Sequence, residues 1–274
     1  MSGERMAAFR SALLLGILTA IFLAIGFFFG GIFGATAGLI IAFIVNFISY
    51  FFSDKIVLKM YNAKELKDEK INAMVEKLAK KSGLPKPKTY IIQTDIPNAF
   101  ATGRNKNHAA VAVTKGLIDK LDDDEIEGVI AHEISHIKHK DTLISTMAAT
   151  IAGAISWLAY IFWFGDERNR NIINYILLFV LAPIAAMLIR LAISRSREYY
   201  ADRGAGEISN PLSLASALGK ISDFTKNVKI KGNPSTAHLF IVNPFTGINL
   251  INLFSTHPPI EERIKRLEEM AKKK

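Results

Sequence analysis

Cysteine is absent from this chain of 274 residues. Its absence excludes disulfides, thiolate zinc ligands and a cysteine nucleophile, and it fits a reducing compartment. Histidine is scarce at six residues, so two of them at metal-ligand spacing stand out against the background. The net charge is +9, yet no arginine-rich helix and no alternation of basic with aromatic residues accompanies it. That pattern carries no nucleic-acid footprint, and an excess of lysine also arises when a membrane protein keeps its polar mass on the cytoplasmic side. Charge of either sign is nearly missing from residues 11–52, and this shapes the rest of the reading.

Half of all residues are hydrophobic and the mean hydropathy is +0.23, high for a soluble enzyme. Residues 11–52, about 42 in all, are too many for one bilayer span and suit two of about 20 each. A hairpin turning near Gly30-Gly31 is the simplest arrangement. Gly26, Gly30, Gly34 and Gly38 recur every four residues. This spacing serves either a turn or close helix packing, and the sequence does not divide the two uses. A cleaved signal peptide ending near Ala35-Thr36-Ala37 is the alternative, but its apolar region would be too long. A second apolar pair follows over residues 142–194, interrupted by the polar loop 165–170. Trp163 stands at the loop end, where an interfacial aromatic is expected, while Pro183 can kink the returning span and Arg190 can snorkel.

Between the apolar pairs, residues 63–81 predict an amphipathic helix carrying Leu66, Met74, Val75 and Leu78 in a lysine- and glutamate-rich background. Gly83 ends it, and Pro85 and Pro87 prevent continuation. The period then changes to strands over 89–93, 99–103 and 109–114, a small sheet that serves either as a core element or, by its edge, to hold an extended substrate. Past the second apolar pair, Asn210 and Pro211 open a helix to about residue 228. A loop-rich stretch and a final charged helix complete the chain.

The densest chemistry is His132-Glu133-Ile134-Ser135-His136, an H-E-x-x-H motif. Asp122 with Glu125 three residues on predicts a capped helix start, and Ile126, Val129, Ile130 and Ile134 recur at helical spacing. On a helix the two histidines share one face about 5–6 Å apart, close enough for one tetrahedral metal. Glu133 is then placed to take a proton from water activated there.

Helix lengths select the third ligand. Ile134 lies about 50 Å of helix before the centre of the 165–170 loop, and Glu198 about 45 Å after it, so a hairpin brings the two level. Subtracting about 30 Å of hydrocarbon puts the site about 15–20 Å beyond the near face of the bilayer, juxtamembrane rather than within it. Glu198 completes a His-His-Glu site for Zn2+, and Asp202, four residues on, can orient a ligand histidine. Glu207 is the competing acid, two to three turns farther along. A metzincin would need Gly and His at positions held by His139 and Thr142. An intramembrane zinc protease would bury the motif, yet Lys138, Lys140 and Asp141 follow it, and no Asp-Gly pair supplies that class's second motif.

Four segments together resemble the HtpX-type membrane zinc metalloproteases, distant relatives of the CAAX prenyl proteases. They are Asn98-Ala99-Phe100-Ala101-Thr102-Gly103, the His132–His136 motif, Arg197-Glu198-Tyr199-Tyr200-Ala201-Asp202, and Ser255-Thr256-His257-Pro258-Pro259. They occur in the family's order, separated by hydrophobic pairs in the family's places. The resemblance implies a membrane α+β protein with about four transmembrane helices and a mainly helical, gluzincin-like zinc protease domain containing a small β-sheet. Its parts are hairpins at 11–52 and 142–194 and catalytic segments at 53–141 and 195–274. It further implies ATP-independent proteolysis of misfolded membrane proteins under heat or envelope stress. By the same resemblance one Zn2+ sits on His132, His136 and Glu198, with Glu133 and His257 catalytic, the latter for the oxyanion. Asn98, with Ala99, Phe100 and Ala101 beside it, would bind substrate backbone.

The expected partners are the bilayer and membrane or unfolded protein substrates. Lysine in both large polar segments places the catalytic side in the cytoplasm, in a multi-pass protein of the cell membrane. Two rival readings remain at this stage: a CAAX-type processing protease acting on lipidated peptides, and a non-catalytic zinc-binding membrane scaffold.

Overall fold

The computed structural model describes residues 3–148, 150–151, 195–227, 239–241 and 258–273. The expected second apolar pair, from residue 152 onward, and His257 lie outside the described residues.

The first element, α1 (Gly3–Met60), is interrupted at Gly30 (φ −144°, ψ 20°) and Gly31 (φ 56°, ψ −141°). A side chain at Gly31 would be strained, so glycine makes this turn. The chain folds back on itself, and Asn46 Nδ2 donates to Leu15 O at 3.3 Å and to Thr19 Oγ1 at 2.9 Å. Close approach depends on the other glycines. A Cβ on Gly26 would stand 2.2 Å from Gly34 O, and one on Gly38 would stand 2.3 Å from Phe22 O. The structure thus divides the four-residue repeat: Gly30 lies at the turn, while Gly26, Gly34 and Gly38 pack.

Among the described residues, one helical segment, Ser11–Met60, is long and apolar enough to cross a membrane. Of the exposed large apolar side chains described, only Tyr200 and Leu212 lie outside α1, and Ile32 and Phe33 are 82% and 86% exposed. An apolar surface without protein cover matches a lipid environment.

The amphipathic helix begins later than its periodicity predicts. Asp68 Oδ1 accepts from Ile71 N at 3.0 Å, so α2 runs Glu69–Lys81 and buries Ile71, Val75, Leu78 and Ala79. Lys64 and Glu65 form the short strand β1 (Lys64–Glu65), which pairs antiparallel with β2 (Lys88–Ile92). The cap at Asp68 ends any helical continuity upstream, freeing those residues for the ladder. The sheet contains β3 (Ala99–Gly103) and β4 (Ala109–Thr114) in the order β1-β2-β4-β3. β2 and β4 are parallel, β4 and β3 antiparallel, and β3 is an edge strand beside the motif helix.

After the short α3 (Lys115–Lys120), the motif helix α4 (Asp123–Lys138) starts with both halves of a capping box, Asp122 to Glu125 and back. It is the centre of the domain, packing on α2, β3, α5 (Arg195–Ile208) and α6 (Pro211–Asn227). Its apolar face, Ile126, Val129, Ile130, Ile134 and Ile137, is buried in one cluster with α2, the sheet and α6. Gly128 lets α6 approach closely, since a Cβ there would lie 2.7 Å from Leu214 N. Glu125 accepts from Ser216 Oγ at 2.6 Å and Lys220 Nζ at 2.7 Å, fixing the same contact electrostatically. The C-terminal helix α7 (Ile260–Ala271) closes over α5 and α6.

Candidate metal centre

Two turns of α4 carry His132 and His136, whose ring centroids are 4.7 Å apart and whose Nε2 atoms approach to 3.1 Å. Glu198, in the first turn of α5, brings Oε2 to 3.7 Å from His132 Nε2 and Oε1 to 3.5 Å from His136 Nε2. One donor atom from each residue falls within 4.8 Å of the others. Ligands about 2.0–2.2 Å from a tetrahedral zinc stand about 3.3–3.5 Å from one another, so the observed separations fit the group. His132 and Glu198 are buried, and the imidazole-imidazole-carboxylate set suits zinc.

The cluster's electrostatics point the same way. Burial opposes a charged His132, but the hydrogen bonds to Asp202 and Glu198 prevail and push its pKa up to about 9. Surplus negative charge that attracts a proton here also attracts a cation. Burial holds His136 below the usual histidine range.

Each ligand histidine turns its other ring nitrogen to a carboxylate. His132 Nδ1 lies 3.0 Å from Asp202 Oδ1, and His136 Nδ1 lies 3.1 Å from Asp141 Oδ2. Asp202 is buried, which alone would raise its pKa. The adjacent Arg263 charge and the hydrogen bonds from Arg263 and His132 instead hold it at about 2.

Arg263 escaped the sequence reading. It is fully buried and donates from Nε to Asp202 Oδ2 at 2.8 Å, from Nη2 to Asp202 Oδ1 at 2.7 Å and from Nη1 to Ile241 O at 3.3 Å. Its Nη1 also lies 3.6 Å from Glu198 Oε2. The available signal was positional: Arg263 lies between Ile260 and Leu267 on the inward face of α7, where an arginine demands a buried partner.

Glu133 faces the cleft beside the histidines, and its Oε2 accepts from Ala101 N of β3 at 2.7 Å. Burial pushes its pKa up. The cleft has a free volume of about 50 Å³ and is lined by Ala99, Phe100 and Ala101 of β3 and by Leu239, Phe240 and Ile241. Asn98 is buried at the head of β3. Its Nδ2 donates to Leu239 O at 3.3 Å, and its Oδ1 accepts from Ile241 N at 2.9 Å. Its amide therefore holds the 239–241 segment that lines the cleft together with β3. Glu207, the competing acid, pairs with Arg203 at 3.3 Å on the exposed side of α5, away from the histidines.

Residues 65–271 match the family model of peptidase family M48. A protease HtpX homolog of Sulfurihydrogenibium sp. (strain YO3AOP1) is 50% identical over 96% of this chain and 96% of its own length. Protease HtpX homologs of Pyrococcus furiosus and Methanocaldococcus jannaschii are 55% and 52% identical, covering 81% and 82% of this chain and 81% and 84% of their own. The crystal structure of S. mikatae Ste24p superposes with a TM-score of 0.51 at 19% identity, covering 92% of this chain. The chain spans 62% of that protein, and the likeness is one of fold. A family match across the whole catalytic region, with half of all positions shared along nearly the entire chain, makes this protein a member of peptidase family M48.

Proposed function

We propose that this metallopeptidase is a multi-pass membrane endopeptidase that hydrolyses misfolded or damaged membrane proteins in a cleft beside the bilayer. The observation that carries this reading is Glu133. It stands beside the His132–His136–Glu198 cluster with one oxygen anchored to the edge strand. A scaffold that only binds metal has no need of a carboxylate in that position. His132, His136 and Glu198 would hold one Zn2+, and the chemistry supplied by that ion is Lewis acidity, which sharpens the acidity of water and polarises a peptide carbonyl.

The chain's own residues do the rest. Glu133, whose carboxyl is pushed up by burial, takes the proton of the attacking water and passes it to the leaving amine. Asp202 fixes the orientation of His132 through Nδ1. The substrate backbone pairs with the outward edge of β3. Ala101 directs its N–H to Glu133, away from β4, so the same outward parity belongs to Ala99, which offers its backbone to the substrate. Asn98 acts on the substrate through the cleft-lining 239–241 segment it holds. His257 donates to the oxyanion, an assignment resting on the family resemblance.

Four spans form two hairpins: the one over 11–52 precedes the catalytic domain, and the one over 142–194 interrupts it between segments 53–141 and 195–274. The folded-back α1 supports the first hairpin, and the apolar composition of 142–194 supports the second. Lysine in both polar segments supports a cytoplasmic catalytic side.

The test is cleavage of an unfolded model protein by the detergent-purified chain and by Glu133→Gln, with zinc assayed in both. The expected result is equal zinc and activity in wild type alone. Equal activity in both would remove Glu133 from its role, and absence of zinc from both would remove the metal centre.

A further inference from the structure

The mechanism above uses Asp202 behind His132 but nothing behind His136. The structure assigns that place to Asp141: we propose that Asp141, clamped by Arg197, is a positioning residue that sets the orientation and zinc affinity of His136. The proposal rests on the zinc reading of the His132–His136–Glu198 cluster.

Three observations carry it. First, Asp141 Oδ2 accepts from His136 Nδ1 at 3.1 Å, and both residues are largely buried. A carboxylate on Nδ1 fixes the imidazole tautomer, which leaves the Nε2 lone pair directed toward His132 and Glu198.

Second, Asp141 reaches this position through an unfavourable backbone conformation. α4 ends at Lys138, His139 caps it, and Lys140 adopts φ 61° before a new helix covers residues 141–148. A lysine in the left-handed region is strained where glycine would not be. Strain of this kind persists where the surroundings enforce it, and here it folds Asp141 back under the last turn of α4.

Third, Arg197 locks the arrangement from the other ligand helix. Its guanidinium forms an ion pair with Asp141, and its Nη2 donates to His139 O at 2.7 Å, a carbonyl left open by the end of α4. Arg197 immediately precedes Glu198. One guanidinium thus ties the C-terminus of the histidine helix to the start of the glutamate helix. The result mirrors the other side of the site, where His132, Asp202 and Arg263 form the same sequence of contacts. Each ligand histidine is backed by an aspartate, and each aspartate by an arginine drawn from a different helix than the histidine.

The experiment measures zinc affinity of the detergent-purified full chain by competition with a graded chelator. Wild type is compared with Asp141→Ala, Asp141→Asn, Arg197→Ala and, as the reference for such a role, Asp202→Ala. Thermal melting of the chelator-treated proteins is measured alongside. The expected outcome is a loss of zinc affinity of about 10–100-fold in Asp141→Ala. A smaller loss is expected in Asp141→Asn, whose amide oxygen still accepts from Nδ1 but carries no charge for Arg197. Arg197→Ala should fall between wild type and Asp141→Ala.

Wild-type zinc affinity in Asp141→Ala, with or without a lower melting temperature, overturns the proposal by showing a packing role only. If Asp141→Ala fails to fold, Asp141→Asn decides the matter, and unchanged affinity there overturns it equally. Wild type without zinc sinks the proposal together with the metal reading. Wild type with zinc and unaffected Asp141 variants sinks the clamp alone.

Discussion

Arg263 is the residue on which most of the buried charge depends. Its guanidinium meets both oxygens of Asp202 and comes near Glu198 with no exposure to solvent. Removing it would leave a buried carboxylate uncompensated, a loss of about 3–5 kcal/mol for pairs of this kind. Arg263→Met keeps much of the side chain's bulk and is expected to lower the melting temperature strongly even when zinc is supplied. A melting temperature within a degree of wild type would show that Asp202 finds another partner. His257 calls for a different measurement. With the oxyanion role assigned above, His257→Ala is expected to reduce kcat by about 10²–10³-fold with little change in zinc content. An unchanged kcat would remove that residue from the oxyanion role.

At the level of elements, α4 holds the site because every neighbour is fitted to it. Gly128 is where α6 comes closest, with Leu214 N 2.7 Å from the place a Cβ would occupy. That atom is backbone, so the clash cannot be relieved by rotating a side chain. Gly128→Val is expected to separate the two helices and lower stability by about 1–3 kcal/mol, read as a lower melting temperature with near-normal zinc affinity in the folded fraction. The turn after α4 offers the opposite sign. Lys140 holds a positive φ that glycine tolerates freely, and Lys140→Gly is expected to raise stability by up to about 1 kcal/mol. A fall in melting temperature would mean that the lysine side chain contributes more than its backbone strain removes.

Across the whole molecule the centre acts as a staple. Its ligands come from α4 and α5, and the arginine behind Asp202 comes from α7, so elements distant in the chain meet at one point. Any ion that binds this arrangement and not the unfolded chain stabilises the fold by mass action, about 2.7 kcal/mol at a free concentration one hundred times Kd. Chelation is therefore expected to lower the melting temperature, and added zinc to restore it. The exposed apolar surface of α1 predicts a further whole-molecule property: the protein stays monodisperse in detergent and aggregates on its removal. Size-exclusion chromatography across the detergent's critical concentration checks this.

Much of the site was legible before any coordinate, because its signals are local. The i, i+4 histidines, the Asp122–Glu125 cap and the Gly30-Gly31 turn depend on helical geometry and φ preferences that operate over a few residues. The expectation that Glu198 joins the histidines used only the rise of a helix and an assumed hairpin length. What sequence periodicity got wrong has a non-local cause. Lys64 and Glu65 carry no mark of a strand, and only the ladder offered by β2 makes them one. The rest was decided by tertiary structure. Which face of Asn98 meets Leu239 and Ile241, why Arg263 is buried, and how Asp141 returns under His136 depend on side chains converging from elements far apart in the chain. A buried charge needs partners, but no spacing rule names them, and only the assembled fold brings each arginine to its aspartate.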